Sequence, residues 1–73
     1  MKYTIILKKG KESGYTAVVP ALKGCVSQGK TRTEALKNIK EAIQLYVETL
    51  LEDGMTVPRE EYKDIVELKV AVR

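Results

Sequence analysis

Between positions 31 and 54 apolar residues recur at steps of three and four: Leu36, Ile39, Ile43, Tyr46, Val47 and Leu50, with Ala35 and Ala42 beside them. That spacing lays one apolar stripe along a 3.6-residue period and predicts a single long helix. Thr31 suits its N-cap, because a hydroxyl can accept a bond from an otherwise unpaired backbone N–H, and Glu34 three residues on can reach back to complete a capping box. Gly54 stands where a left-handed C-terminal cap belongs. At ~1.5 Å per residue the helix is about 33 Å long. Its stripe needs a surface to lie on.

Elsewhere the period is two. In residues 2–9, Tyr3, Ile5 and Leu7 fall on one face of a strand, with Thr4, Ile6 and Lys8 on the other. Residues 10–14 form a turn. Residues 15–19 make a second strand, closed by Pro20, which lacks the N–H that a ladder needs. A bend over 20–24 leads to a third strand, 25–28, and Gly29 turns the chain into the helix. After Gly54, Met55 and Val57 fold back onto the domain, and Pro58 starts a short helical turn over 59–63. In residues 64–72, Val66, Leu68, Val70 and Val72 alternate with Glu67 and Lys69, which predicts a fourth strand with its apolar side inward.

The order strand, strand, strand, helix, strand gives an α+β, two-layer β-β-β-α-β domain. The first three strands form an antiparallel meander. The right-handed crossover rule places the fourth beside the first, for a mixed sheet of order 3-2-1-4 with the long helix on one face. Ile6, Ala17, Val19 and Ile65 are expected on the other face, where nothing in the chain covers them. A second subunit, giving a dimer or tetramer, or another protein would do so.

Composition sharpens this picture. A chain of 73 residues is one small domain, of a size that buries only roughly 60% of its unfolded surface. One cysteine and no histidine exclude an internal disulfide and argue against a zinc site, so self-association is the remaining stabilising device. The net charge of +3 is uneven, with +5 over residues 1–30 and −2 over residues 31–73. No basic cluster with interleaved aromatics stands out, so the lysines are read as blunting strand edges and keeping the chain soluble rather than as a nucleic-acid platform. No signal peptide and no long apolar run are present, and a cytoplasmic protein is expected.

Candidate chemistry is sparse. Without histidine neither a Ser-His nor a Cys-His pair can form. Cys25, between Gly24 and Val26, reads as a small buried hydrophobe. Residues 24–29 lack the phosphate-cradling lysine and serine pattern. The helix acids Glu34, Glu41, Glu48 and Glu52 lie off the apolar stripe. No catalysis, metal or cofactor is expected. One feature resists a purely structural account: Glu48, Glu52 and Asp53 crowd the last turns of the helix, where an exposed acid opposes the macrodipole by ~0.3–1 kcal/mol. Either a basic group of this chain or a basic partner compensates.

The series Gly14-Tyr15, Ala17, Val19-Pro20, Leu22, Gly24-Cys25, Gly29, Thr31, Glu34-Ala35, Asn38 and Glu41-Ala42 strongly resembles the N-terminal domain of HicB-type antitoxins, including the small stand-alone HicB-like proteins. The match runs over about residues 1–58, and the unbroken spacing makes it specific. The resemblance implies a partial ribonuclease-H-like fold of the same element order. It implies no nuclease, because ribonuclease H needs acidic metal ligands, one of them on the first strand, where only Lys2, Thr4 and Lys8 are polar. It further implies a non-catalytic antitoxin that sequesters a HicA-type toxin, an mRNA-cleaving enzyme with a double-stranded-RNA-binding-like fold. The alternative is a homo-oligomeric module that binds a small ligand or protein outside any toxin-antitoxin system.

Full-length HicB proteins usually add a C-terminal DNA-binding domain. This chain departs from that pattern, and the expectation is one HicB-like domain over residues 1–73 with no direct DNA binding. Residues expected to meet a partner are Tyr15, Gln28, Lys30, Glu48, Glu52 and Asp53. Tyr15 is either packed or a contact. Asn38 either stays on the helix surface or ties down the 20–24 loop.

Overall fold

The computed structural model describes residues 1–60 and 67–72. Three strands, β1 (Ile6–Lys9), β2 (Tyr15–Val18) and β3 (Val26–Gly29), form an antiparallel sheet in chain order, and α1 (Arg32–Glu52) packs on one face. The α+β class, the meander and the single long helix are as the hydrophobic pattern predicts. β1 is shorter than the expected strand: its alternation starts at Tyr3, but only Ile6 to Lys9 find partners, opposite Val18 to Tyr15.

Register decides which side chains meet the helix. Ala17 lies between Leu7 and Ser27, and Val18 between Ile6 and Val26. Directly opposed residues share a face, so Ala17 and, two residues on, Val19 point at α1 and are fully buried. This corrects the expectation that Ala17 and Val19 lie on the open face. That face carries Ile6, Val18 and Val26 in one row and Lys8, Thr16 and Gln28 in the next. Ile65 lies outside the described residues.

The buried core is small: Ala17, Val19, Leu22, Cys25, Ala35 and Ile39, with Tyr3, Ile5, Leu7, Ala42, Ile43 and Tyr46 half-buried around them. Leu22 plugs the core from the 20–24 bend. The bend is closed by bonds from the Leu22 amide to the Val19 carbonyl (3.1 Å), from Cys25 N–H to the Leu22 carbonyl (3.0 Å) and from Val19 N–H to the Cys25 carbonyl (3.1 Å). Tyr46 ties the same bend to the helix, its hydroxyl donating to the Lys23 carbonyl at 2.9 Å. Asn38 does not serve the bend: its amide donates to the Gln28 carbonyl on β3 at 2.7 Å.

The helix ends follow their local chemistry. Thr31 Oγ1 accepts from Glu34 N–H at 3.1 Å, and Glu34 Oε1 reaches past the cap to accept from Lys30 N–H at 3.3 Å. At the other end Gly54, at φ +67°, donates to the Leu51 carbonyl and Met55 to the Leu50 carbonyl. Those are the two bonds of a Schellman cap, which needs a left-handed residue and so favours glycine.

Gly29 has a different reason from the turn expected of it. A Cβ there would collide with backbone atoms of Glu34 and Ala35. Its missing side chain lets the end of β3 touch the first turn of α1, where Ala35 is fully buried. That contact and the Asn38 bond hold the N-terminal half of α1 on β3. The helix therefore covers β3 and β2, and β1 is left at the margin.

The largest departure concerns the expected fourth strand. Pro58 and Glu60 are fixed near the start of the chain. Tyr3 donates its hydroxyl proton to the Pro58 carbonyl at 2.6 Å, and Glu60 accepts from Thr4 N–H (2.6 Å) and Thr4 Oγ1 (2.9 Å). Val57 is half-buried, but Met55 is exposed. The expected turn over 59–63 and the position of Val66 fall partly or wholly outside the described residues. Residues 67–72 join no strand, and Leu68, Val70 and Val72 are 81%, 71% and 86% exposed rather than turned to the core. The order 3-2-1 is observed without a fourth strand among the described residues, because the alternation of 67–72 fixes an amphipathic strand but not which sheet it joins.

Candidate functional site

The residues expected to meet a partner fall at opposite ends of α1. Tyr15, Gln28 and Lys30 come together where the β1–β2 hairpin meets the helix N-terminus, around a shallow hollow of about 420 Å³ shared with Ser13, Thr16 and Glu34. Their backbones build the fold here. Tyr15 pairs with Gly29, the Gln28 carbonyl anchors Asn38, and the Lys30 N–H meets Glu34. Tyr15 is half-buried, whereas Gln28 and Lys30 are exposed.

Glu48, Glu52 and Asp53 sit about 24 Å further along the axis at ~1.5 Å per residue. All three are exposed, and the last turn holds no basic residue. Glu41, Leu45, Glu48 and Glu52 follow one another at steps of four, three and four, which puts them on one stripe opposite the buried one. Leu45 is 66% exposed on that stripe, with Leu51 (63%) and Met55 (56%) flanking its end. An outward helix face that is acidic, carries a bare leucine and opposes its own dipole offers a basic partner both charge and apolar area. Leu45 was not singled out in the sequence. The signal that could have found it is its place off the core stripe, between Glu41 and Glu48.

A third feature lies between α1 and the margin of the sheet. Because the helix sits over β2 and β3, the side chains of Tyr3 and Ile5 face Leu36, Ile39, Ile43 and Val47 across an open trough of about 530 Å³, which Lys40, Gln44 and Glu48 also line.

Cys25 is buried, and loss of solvation pushes its thiol above the ordinary value of 9.0, so it is held as the neutral, poorly nucleophilic form. Among the described residues no three His, Cys, Asp or Glu side chains converge as a metal site. No helix of the described residues is long and apolar enough to cross a membrane.

Comparison with known proteins joins these features to a family. Residues 3–71 match the family described as the HicB-like antitoxin of bacterial toxin-antitoxin systems. The chain belongs to that HicB-like antitoxin family. Its relatives include a UPF0150 protein of Thermoplasma acidophilum, 49% identical over 89% of this chain and 94% of that protein. Another, from Synechocystis, is 51% identical over 81% of this chain and 75% of that protein. Among solved structures, the fold resembles a chain of a HicA3 and HicB3 toxin-antitoxin complex, with a TM-score of 0.69 and 27% identity over 86% of this chain and 72% of that one. In this HicB-like chain the Gly29, Thr31, Glu34 and Ala35 motif makes the strand-to-helix junction, and Leu22 with Cys25 makes the core plug. The resemblance noted from sequence is therefore carried largely by residues that build the fold.

Proposed function

We propose that this chain is a non-catalytic antitoxin that binds a HicA-type, mRNA-cleaving toxin and blocks it, in the cytoplasm. The observation that carries this is the family match over residues 3–71, supported by the likeness to a chain from a toxin-antitoxin complex. The chemistry of the surface agrees. The chain has no histidine, its one thiol is buried and neutral, and its helix acids point outward rather than converging on a site. An RNA-cleaving toxin must itself be basic enough to hold a phosphate backbone, and the stripe of Glu41, Leu45, Glu48 and Glu52, ending at Asp53, is its complement. Tyr15, Gln28 and Lys30 lie too far from that stripe to share one small footprint and form a second, lesser contact. In fold terms the sheet is three strands of a partial ribonuclease-H-like domain, with the place beside β1 open for a fourth.

The test is co-expression with a small basic protein encoded beside this gene. The pair should co-purify, and this chain should restore growth that the neighbour arrests. Glu48→Lys with Glu52→Lys should weaken the complex at least tenfold, by the charge reversal of two contacts. No complex and no growth rescue with the unaltered chain would overturn the antitoxin reading. A complex indifferent to the double reversal would move the contact off this helix face.

A further inference from the structure

The helix is longer than the sheet beneath it, and its far end carries most of the acidic stripe. We propose that a clamp between the start of the chain and residues 57–60 braces that end, which makes Tyr3 and Glu60 positioning residues for the contact with the toxin. The partner in this inference rests on the antitoxin reading above; the brace itself does not.

Lengths set the problem. Each strand has four residues and spans about 13 Å, whereas α1 has 21 and spans about 31 Å. α1 runs back along β3, and three ties fix its position. Ala35 lies against Gly29, Asn38 donates to the Gln28 carbonyl, and Tyr46 donates to the Lys23 carbonyl in the bend before β3 begins. Beyond Tyr46 no described strand lies beneath the helix. Residues 47–52 overhang the sheet, and there stand Glu48 and Glu52, followed by Asp53 at the cap. The trough opens between Val47 and Tyr3, so packing alone holds this end weakly. Helix turns with few buried contacts are the first to open.

The chain after the helix makes up for this. From the Gly54 cap it doubles back, with Val57 half-buried, to the residues just before β1. Tyr3 donates its hydroxyl proton to the Pro58 carbonyl at 2.6 Å. Both carboxylate oxygens of Glu60 are used, Oε1 accepting from Thr4 N–H at 2.6 Å and Oε2 from Thr4 Oγ1 at 2.9 Å. Bonds to an ionised carboxylate are roughly twice as strong as neutral ones. Thr4 lies two residues before Ile6, where β1 starts, so residues 55–60 tie the overhanging end of α1 to the sheet. Glu60 is exposed, so it serves as a tie and not as core. An end already ordered before its partner arrives loses less freedom on binding. If loss of the clamp leaves it ordered only roughly a third to a fifth of the time, the complex weakens by the same factor, about three- to fivefold.

Tyr3→Phe with Glu60→Ala removes the clamp while keeping the ring at the trough. In the free chain, amide exchange of residues 47–52 should speed up about tenfold or more, with residues 35–43 unchanged. Tyr3→Phe with Glu60→Gln, which keeps an acceptor for Thr4, should restore part of the protection. With the co-purified toxin, the Tyr3→Phe, Glu60→Ala chain should bind about three- to fivefold more weakly. That loss should vanish when Glu48→Lys and Glu52→Lys are already present, because the clamp acts through those acids. Exchange that is unchanged, or that rises evenly along the helix, overturns the brace, as does Glu60→Gln behaving like Glu60→Ala. A loss of affinity that simply adds to the charge reversal overturns the positioning role. A chain that binds no toxin overturns the antitoxin reading instead, and the exchange rates alone then uphold or overturn the brace.

Discussion

At the scale of single residues, most of the family pattern has a local cause. Gly29 is set by contact: a Cβ would strike the backbone of Glu34 and Ala35, so no rotamer can relieve it. Gly29→Ala should cost about 1–3 kcal/mol, the usual range for forcing atoms into a packed site, read from the urea midpoint of the purified protein. Cys25 gives a pH signature. Its thiol is neutral in the fold beyond the pH at which it ionises in the unfolded chain. Its burial is fully favourable below the unfolded value. As pH rises through that value the unfolded state gains charge, and stability falls until the folded thiol also ionises. Native protein should thus react slowly with a thiol reagent at pH 8, speed up on unfolding, and lose stability above pH 9.0 in a way that Cys25→Ala does not. Both expectations concern residues already visible in the sequence. What the sequence did not tell was the reason for Gly29, because a close approach depends on the angle at which helix meets strand.

At the scale of elements, α1 was legible almost to the residue. Capping chemistry is local, and Thr31, Glu34 and Gly54 act within a few positions of themselves. The same helix carries an unfavourable feature that its fold does not explain. Glu48, Glu52 and Asp53 face the negative end of the dipole with no basic residue in the last turn. Glu48→Lys with Glu52→Lys should therefore raise the thermal midpoint of the chain alone, by an amount equivalent to ~0.3–1 kcal/mol per site. A variant that is more stable yet binds the proposed toxin less well separates function from folding, because misfolding cannot account for the loss. The strands were less legible. Period two marks their existence, but β1 pairs over only half its expected length, since β2 turns away at Val19 into the bend that Leu22 plugs.

At the scale of the molecule, the core is incomplete. Among the described residues six are buried, and the C-terminal half of the apolar stripe is only half covered. The self-association expected of so small a core should show as a thermal midpoint that rises measurably as protein concentration is raised a hundredfold. The sequence by itself determined the α+β class, the order of the first three strands and the helix with both its caps. These follow from periodicity and from bonds between near neighbours. Tertiary structure alone decided that Ala17 and Val19 face the helix. It also decided that the helix sits over β2 and β3, and that Leu68, Val70 and Val72 stay bare in the single chain. Each depends on register and on the approach of Gly29 to Ala35, contacts that join distant parts of the chain and leave no periodic trace in it.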